Sequence, residues 1–240
     1  MKAVVIAAGK GVRLRPITDH IPKCLAEVKG KPILEHVLER IIKAGIEEVH
    51  LVVGYKKDLI EDHFGPEFNG VKLNYFVQEE PKGTAHAVSL TEKYIDDKFL
   101  ITNADVIIST TNYRKLIETD EFEKADGFIV ARKVNDPWRY GVLKTDGMKL
   151  LNIIEKPKPG EEPSNLVNAG IYRVRKEFFE AINQTPKSVR GEYEIVDSLK
   201  IFMKSGKHIE TKMCEGSCID IGSKEDLERA DSMMDSIFPD

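Results

Sequence analysis

The sequence lacks the features that mark several common classes of protein. No segment approaches the roughly 20 apolar residues that a membrane-spanning helix needs, and Lys10 interrupts the N-terminal apolar stretch before a signal-peptide core could form. Charged residues make up 32% of the 240 residues, and the net charge is −4. A general nucleic-acid-binding surface normally requires a basic excess. We therefore expect a cytoplasmic protein that binds neither membranes nor nucleic acids.

Cysteine is also scarce. The three cysteines are Cys24, Cys214 and Cys218, too few and too scattered for a disulfide framework. Cys214 and Cys218 have no second Cys/His pair to complete a structural zinc site. We expect free, buried thiols at these positions.

Two common phosphate-binding motifs are absent as well. The P-loop pattern G-x-x-x-x-G-K-[ST] does not occur, and G-x-G-x-x-G fails because Leu14 takes the place of the third glycine. What remains is "AAGKGVRLRP" (7–16), which follows an apolar run and contains Gly9, Gly11 and Arg13. Glycines let backbone N–H groups turn inward around an anion, and arginine adds permanent positive charge. This segment predicts a binding site for an anion such as a polyphosphate.

The first half of the chain has the hydrophobic pattern of an α/β fold. Apolar, β-rich runs at 3–7, 48–53, 72–77 and 98–102 predict strands, and helical patterns occupy 31–45, 55–64 and 83–94. Strand–helix–strand repetition is typical of parallel strands joined by right-handed crossovers, hence of a doubly wound, mostly parallel sheet. Ligands of such sheets bind at the carboxyl ends of the strands, where 7–16 lies.

The second half is richer in strands. Strands are predicted at 127–134, 140–145, 150–156 and 166–174, and helices at 175–183, 192–204 and 223–236. Ser223 and Asp226 form a capping-box signature at the start of the last helix. Because no linker or repeat is visible, we expect one domain over 1–240.

The string over residues 1–41 resembles the N-terminal signature of the sugar-1-phosphate nucleotidylyltransferases, the pyrophosphorylases that make NDP-sugars. Further matches extend to about residue 222. The resemblance implies a Rossmann-like fold of the nucleotide-diphospho-sugar transferase type, with an NTP-binding part at about 1–110 and a strand-rich sugar-phosphate-binding part at about 111–222. The matching pieces of the signature are Gly9-x-Gly11-x-Arg13-Leu14, Pro16, Thr18, Pro22-Lys23 and Gly30-Lys31-Pro32.

The resemblance assigns roles within this N-terminal segment. In the family, the glycine loop surrounds the NTP phosphates, an arginine neutralises the leaving pyrophosphate, and the lysine of Pro-Lys contacts phosphate. These roles fall on Ala8, Gly9 and Gly11 for nucleotide binding and on Arg13 and Lys23 for catalysis.

Residues 78–87 resemble the base-binding stretch of the uridylyl- and thymidylyl-transferring members. The pattern is Q-x-x-x-x-G-T-A-H-A, and it implies nucleotide contacts from Gln78, Gly83 and Thr84. A glutamine amide can donate and accept side by side, as pairing with a base edge requires. The resemblance favours UTP or dTTP. We expect no catalytic role for His86, which lies inside the predicted helix.

Two aspartates match the family's Mg²⁺-binding positions. Asp105 follows the predicted strand at 98–102, and Asp220 lies in "CIDIGS" (218–223), where Cys218 replaces the tryptophan of the family's W-x-D-[IV]-G. Mg²⁺ that bridges phosphates typically takes one or two carboxylates and keeps several waters. The resemblance therefore implies Mg²⁺ as cofactor.

Three short motifs in the second half resemble the family's sugar-binding elements. They are Y-G at 140–141, E-K-P at 155–157 and N-A-G at 168–170. Glu155 and Asn168 can hydrogen-bond sugar hydroxyls, Lys156 can reach the sugar phosphate, and Gly141 and Gly170 allow close backbone approach. The segment 190–199 also matches the family, but helix packing explains its apolar residues equally well. We expect Trp138 to be a packing residue.

The activity implied is transfer of a nucleotidyl group from an NTP to a sugar-1-phosphate, with glucose-1-phosphate as the default acceptor. This chemistry needs positioning and electrostatic stabilisation and no protein nucleophile, and the sequence offers no Ser-His or Cys-His pair.

Alternatives stay open. One is a cytidylyl- or guanylyltransferase, including one acting on a phospho-alcohol, because Cys24 occupies a position where related enzymes touch the nucleotide. The other is a non-catalytic regulatory subunit. We expect no acetyltransferase activity, because the β-helix that some relatives carry is not visible, and family members are often homo-oligomers.

Overall fold

A ten-stranded mixed sheet with helices on both faces is the centre of the fold. The computed structural model describes residues 1–118 and 124–237, except for the side chains of 235–237. The strands are β1 (Lys2–Ile6), β2 (Glu27–Val28), β3 (Lys31–Pro32), β4 (Glu48–Val53), β5 (Glu67–Phe68), β6 (Val71–Val77), β7 (Phe99–Asn103), β8 (Val106–Ile108), β9 (Gly127–Lys133), β10 (Gly141–Asp146), β11 (Lys149–Glu155), β12 (Leu166–Val174), β13 (Ile209–Met213) and β14 (Cys218–Asp220). The helices are α1 (Ile17–His20), α2 (Ile33–Lys43), α3 (Lys57–Phe64), α4 (Thr84–Ser89), α5 (Thr110–Glu118), α6 (Phe178–Asn183), α7 (Ile195–Lys204) and α8 (Lys224–Ile237).

The first half of the chain contributes four adjacent parallel strands. β7, β1, β4 and β6 lie side by side in this order, and all three pairings are parallel. Side chains alternate between the two faces: Ala3 and Val5 pack into one hydrophobic cluster and Val4 into the other. Burial on both faces explains why these strands read as continuous apolar runs. The predicted doubly wound α/β architecture is confirmed.

The second half extends the same sheet with mainly antiparallel pairings. β12 pairs antiparallel with β7, β9 pairs antiparallel with β12, and β10 and β11 form a hairpin. The hairpin turns at Asp146-Gly147, where Gly147 has a φ of +55°. The full strand order is β10-β11-β13-β9-β12-β7-β1-β4-β6-β5. The sheet is therefore parallel across β7, β1, β4 and β6 and mixed as a whole.

The helices follow the sequence pattern with some differences. The apolar face of α2 is buried through Ile33, Leu34, Val37, Leu38 and Ile41, and Ile42 is partly buried beside them. The helix predicted at 83–94 ends at Ser89 and is followed by a short 3-10 turn at Glu92–Tyr94. At the start of α8, Ser223 Oγ accepts from the Asp226 N–H at 3.3 Å, as in a capping box.

The sequence pattern missed the helices α1 and α5 and the strands β2, β3, β5, β8, β13 and β14. β8 and β14 pair with each other in a small separate sheet, and β13 lies parallel to β9. Within residues 1–118 and 124–237, no helix is long and apolar enough to cross a bilayer.

Candidate active site

The carboxyl ends of the four parallel strands place the predicted nucleotide-binding residues along one edge of the sheet. The Ala7 N–H donates to Val52 O at 2.8 Å, and the Gln78 N–H donates to Val53 O at 2.8 Å. Gly54 lies between the two segments, because a Cβ there would be 3.0 Å from Ala8 O and 3.1 Å from Gln78 O. Gly54 was not singled out in the sequence, although a glycine directly after an apolar strand is the signal for such a close approach.

Gly11 lets the glycine loop pass against Lys23. Its φ of +63° lies in the left-handed region, and a Cβ at this position would be 2.6 Å from Lys23 Cβ. Thr18 fixes the loop, because its Oγ1 donates to Gly11 O at 2.9 Å. Gly9 is exposed, with no atom within 4 Å of its potential Cβ. The loop is therefore packed against Lys23 at Gly11 and exposed to solvent at Gly9.

Arg13 extends from this loop towards the far side of the cleft. A Cβ at Gly222 would lie 3.0 Å from Arg13 Nη2, so the guanidinium packs against the backbone two residues after Asp220. The structure therefore brings the arginine of the N-terminal loop to the C-terminal acidic segment, over more than 200 residues of sequence.

Pairing of β8 with β14 brings the two predicted metal-binding aspartates together. Asp220 lies opposite Val106, the residue that follows Asp105, and the Ile221 N–H donates to Asp105 O at 3.0 Å. Lys23 Nζ forms an ion pair with the carboxylate of Asp105. Burial, followed by the negative charge of Asp105, raises the pKa of Asp220. Two carboxylates held this close favour a cation between them.

The predicted base-binding segment contains an oriented amide. Gln78 Nε2 lies 3.0 Å from Gly83 O and 2.8 Å from His86 Nδ1. A carbonyl oxygen can only accept, so the atom facing it must be the donor nitrogen of the amide. Burial lowers the pKa of His86, which favours the neutral ring that can accept at Nδ1. Gln78 Oε1 has no partner among the described residues.

Gly83 and Thr84 join the predicted base-binding segment to the start of α7. Gly83 has a φ of +103°, and a Cβ there would lie 2.4 Å from Tyr193 O. The Ala85 N–H donates to Tyr193 O at 2.9 Å. Thr84 Oγ1 accepts from the Ile195 N–H at 3.0 Å. The Thr84 hydroxyl therefore binds the first residue of α7, and Thr84 also lines the cleft.

The predicted sugar-phosphate residues lie in the same cleft as the phosphate residues. The cleft has a volume of about 360 Å³. Nine predicted site residues line it: Arg13, Thr84, Asp105, Gly141, Glu155, Lys156, Asn168, Gly170 and Asp220. Lys23 does not line the cleft itself, but it forms an ion pair with Asp105, which does. Ala8, Gly9, Gly11, Gln78 and Gly83 form the adjoining strand-end loops and do not line this cavity.

The predicted sugar-binding residue Glu155 lies near two cations. Glu155 Oε1 lies 3.9 Å from Lys156 Nζ and 3.6 Å from Arg190 Nη2. Burial nevertheless raises the pKa of Glu155. A Cβ on Gly141 would be 3.0 Å from Glu155 Oε2. Lys156 has a φ of +45°, unusual for a residue other than glycine.

A bulge in β12 orients Asn168. The register of β12 against β9 shifts between Asn168 and Tyr172, and Gly170 within the bulge has a φ of +75°. Asn168 Oδ1 accepts from the Gly170 N–H at 2.8 Å, and its Nδ2 donates to the hydroxyl of Tyr172. Bulges commonly redirect a side chain next to an active site.

Several residues of the cleft were not predicted. Arg190 and Glu194 line it and form an ion pair at 2.5 Å, and Arg139 lines it from the turn before β10. Arg190 and Glu194 lie in the segment 190–199, whose family pattern was the available signal. Arg132 approaches Asp220 from β9, with Nη2 3.6 Å from Oδ2, and no local pattern marks it.

The remaining sequence expectations concern cysteine and tryptophan. The Cys24 side chain is buried in the hydrophobic core, and burial raises the pKa of its thiol to about 12. Cys24 does not line the cleft. Cys214 and Cys218 are free but only half-buried. Trp138 is 39% exposed, so it packs only in part, and it does not line the cleft.

Fold and cleft together define an α/β protein that gathers arginine, lysine and carboxylate side chains at the carboxyl ends of parallel strands. A family model described as nucleotidyl transferase matches residues 2–236. The chain belongs to the nucleotidyl transferase family.

Relatives and solved structures agree with this assignment. The chain is 39% identical to UTP–glucose-1-phosphate uridylyltransferase AglF of Haloferax volcanii, over 98% of this chain and 96% of that protein. It is 37% identical to the bifunctional protein GlmU of Methanocaldococcus jannaschii, over 100% of this chain and 56% of that protein. The chain thus spans about half the length of GlmU.

Two solved structures share the whole fold. One is a Bacillus anthracis protein provisionally assigned as a glucose-1-phosphate thymidylyltransferase, with a TM-score of 0.89 and 29% identity over 99% of this chain and 96% of that chain. The other is a UDP-glucose pyrophosphorylase in complex with UDP-glucose, with a TM-score of 0.88 and 25% identity over 98% of both chains.

Proposed function

We propose that this protein transfers a nucleotidyl group from UTP or dTTP to a sugar-1-phosphate, glucose-1-phosphate by default, and releases pyrophosphate. One observation carries the proposal: a single cleft holds Arg13 near the acidic pair and Lys156 near the polar sugar-end residues. Two anionic substrates could therefore bind side by side. The similarity to AglF supports the same reaction class.

The arrangement suits a direct displacement. An oxygen of the sugar phosphate attacks the α-phosphorus of the NTP, a new P–O bond forms, and the bond to the β-phosphate oxygen breaks as pyrophosphate leaves. Arg13 and Lys23 neutralise the triphosphate and the departing charge, while Lys156 holds the attacking phosphate. No side chain needs to form a covalent intermediate, because catalysis by positioning and charge stabilisation suffices for phosphoryl chemistry.

We assign Asp105 and Asp220 as the residues that hold Mg²⁺. They fit a hard cation, because two oxygen donors on adjacent elements repel each other when both are ionised. The ion pair of Lys23 with Asp105 marks the same spot as one where positive charge is favourable. Bound Mg²⁺ supplies additional charge neutralisation to the phosphates.

Base preference follows from the orientation of Gln78. Both N–H groups of its amide face acceptors of the protein, Gly83 O and His86 Nδ1, which leaves the carbonyl oxygen to accept from the base. Uracil and thymine have a ring N–H next to their carbonyl groups, whereas the corresponding ring nitrogen of cytosine is an acceptor. We therefore favour UTP and dTTP over CTP.

The sugar end offers hydrogen-bonding partners for hydroxyl groups. Glu155 accepts, and Asn168 is fixed by Gly170 and Tyr172 so that its amide keeps one orientation. Gly141 and Gly170 let neighbouring side chains pack against the backbone, because a Cβ would lie 3.0 Å from Glu155 Oε2 and 2.3 Å from Asn103 Nδ2, respectively. Arg190 provides a second cation, 3.6 Å from Glu155, for the sugar phosphate.

A substrate matrix tests the proposal. Pyrophosphate release is measured with ATP, GTP, CTP, UTP and dTTP, each against several sugar-1-phosphates and phosphocholine, with and without Mg²⁺. We expect release with UTP or dTTP, a sugar-1-phosphate and Mg²⁺ only. Faster release with CTP or GTP, or with phosphocholine, would favour the alternative transferases. Binding of a nucleotide sugar with no release in any combination would favour a regulatory subunit.

A further inference from the structure

Arg132 is a buried arginine between two parts of the cleft. It lies on β9, and its side chain is only 13% exposed. Arginine is seldom this buried unless it is paired. Among the described residues its Nε has no hydrogen-bond partner, so hydrogen bonding at that atom does not account for its position.

The guanidinium of Arg132 contacts Asp220 without donating a hydrogen bond to it. Arg132 Nη2 lies 3.6 Å from Asp220 Oδ2, a distance at which charge attraction persists but a hydrogen bond is not formed. The acidic pair therefore has one cation for each carboxylate, Lys23 at Asp105 and Arg132 at Asp220. The oxygens of Asp220 stay available to a ligand.

The same guanidinium lies over the ring of Tyr140. Its Cζ lies 4.6 Å from the centre of the Tyr140 ring, within the range of a cation–π contact. Tyr140 O accepts from the Lys156 N–H at 3.0 Å, and Lys156 has an unusual left-handed backbone conformation. Tyr140 therefore connects Arg132 to the lysine at the sugar end.

We propose that Arg132 is a positioning residue that holds Asp220 and Tyr140 in a fixed relation, and so sets the spacing between the phosphate end and the sugar end of the cleft. This inference rests on the proposed function. Arginine suits the role because its planar fork stacks on an aromatic ring while it keeps its charge, whereas lysine is a point charge on a flexible stem.

Two variants and one control separate positioning from simple packing. Arg132→Lys keeps the charge but loses the planar guanidinium over the Tyr140 ring, and Arg132→Met loses both the charge and the guanidinium. Lys133→Met is the control, because Lys133 is the exposed neighbour on the same strand. The readouts are kcat, the KM of both substrates, Mn²⁺ binding without substrate by electron paramagnetic resonance, and the fluorescence of Trp138. Trp138 is the single tryptophan and lies two residues before Tyr140.

We expect both Arg132 variants to lower kcat by about tenfold or more, since small misplacements of reacting groups are costly. The KM of the NTP should change by less than about threefold in Arg132→Lys, because this variant keeps the charge near the phosphate end. Mn²⁺ binding should not weaken in Arg132→Met, because a repelling cation has been removed. The emission of Trp138 should shift in both variants and not in Lys133→Met.

Other outcomes would overturn the inference. A kcat within twofold of wild type in both variants would do so, as would a loss of turnover that merely follows a loss of Mn²⁺ binding. If Arg132→Met fails to fold, the result for Arg132→Lys alone decides the test. If the wild-type protein transfers no nucleotide, the proposed function fails separately, and an unshifted Trp138 emission in Arg132→Lys would then reject the positioning role.

Discussion

At the scale of single residues, the phosphate end of the cleft depends on a few charged side chains held by neighbouring backbone. Arg13 is exposed and packs against Gly222, while Lys23 passes Gly11 at a distance that only glycine permits. Neither residue supports the core. Their substitution should therefore affect the reaction far more than folding.

We predict that Arg13→Ala and Asp220→Asn each lower turnover by roughly a hundredfold or more, the size of effect seen when a charge-stabilising group is removed. Thermal melting should remain close to that of wild type, because Arg13 is exposed and Asp220→Asn keeps the side-chain shape. Steady-state pyrophosphate release and circular dichroism are the measurements.

Arg15→Ala is the matched control for Arg13. Arg15 is exposed in the same loop and pairs with Asp19 at 3.1 Å, away from the residues that line the cleft. It should keep turnover within about twofold of wild type, since an exposed ion pair contributes little. Near-normal turnover in Arg13→Ala, or an equal loss in Arg15→Ala, would contradict the role of Arg13.

At the scale of elements, the position of Asp220 depends on a small two-stranded sheet and the turn that precedes it. Asn112 on α5 holds this turn: its Oδ1 accepts from the Glu215 N–H at 2.8 Å and its Nδ2 donates to Glu215 O at 2.8 Å. Asn112 is buried. The turn leads directly into β14, which ends at Asp220.

Asn112→Ala should destabilise the protein by about 2 kcal/mol, because two backbone groups of Glu215 lose their partner. Turnover should fall as well, since β14 loses its anchor. Urea denaturation and the pyrophosphate assay measure the two effects. Thr111→Ala, at the exposed neighbouring position of the same helix, should change stability by less than about 0.5 kcal/mol. A similarly small effect in Asn112→Ala would show that the turn is held by other contacts.

At the scale of the whole molecule, two buried histidines link stability to pH. His36 Nε2 donates to Val28 O at 2.9 Å, and His50 stacks on Phe76 with ring centres 5.2 Å apart. Burial lowers the pKa of both side chains. For His50, the effect of burial outweighs the negative charge of Glu48, which acts to raise the pKa.

These shifts give a stability that rises with pH. In the unfolded chain, the histidine pKa values are about 6.5. Below that pH, the unfolded chain therefore binds more protons than the folded protein does. The histidine contribution is complete above about pH 6.5 and declines as the pH falls through that value. We expect a lower free energy of unfolding at pH 5.5 than at pH 7.5, measured by urea denaturation. His50→Phe should flatten this dependence, and an unchanged slope would exclude His50 as a source.

Three further predictions concern the location, the oligomeric state and the domain organisation of the protein. Residence in the cytoplasm and association into homo-oligomers stay predictions, as does the organisation of residues 1–240 as one domain with an NTP-binding and a sugar-phosphate-binding part. In the structure, one sheet continues across the boundary of these parts, because β12 pairs directly with β7. Size-exclusion chromatography with light scattering measures the oligomeric state.

The sequence by itself determined the local features of this protein. Apolar runs defined β1, β4, β6 and β7, the periodicity of α2 defined its buried face, and glycines marked the phosphate loop, because each of these depends on a few adjacent residues. Only the tertiary structure decided that Asp220 meets Asp105, that Arg132 lies between Asp220 and Tyr140, and that the second half joins the sheet antiparallel. Those contacts link segments far apart in the chain, and their geometry comes from packing and strand pairing that no local pattern specifies.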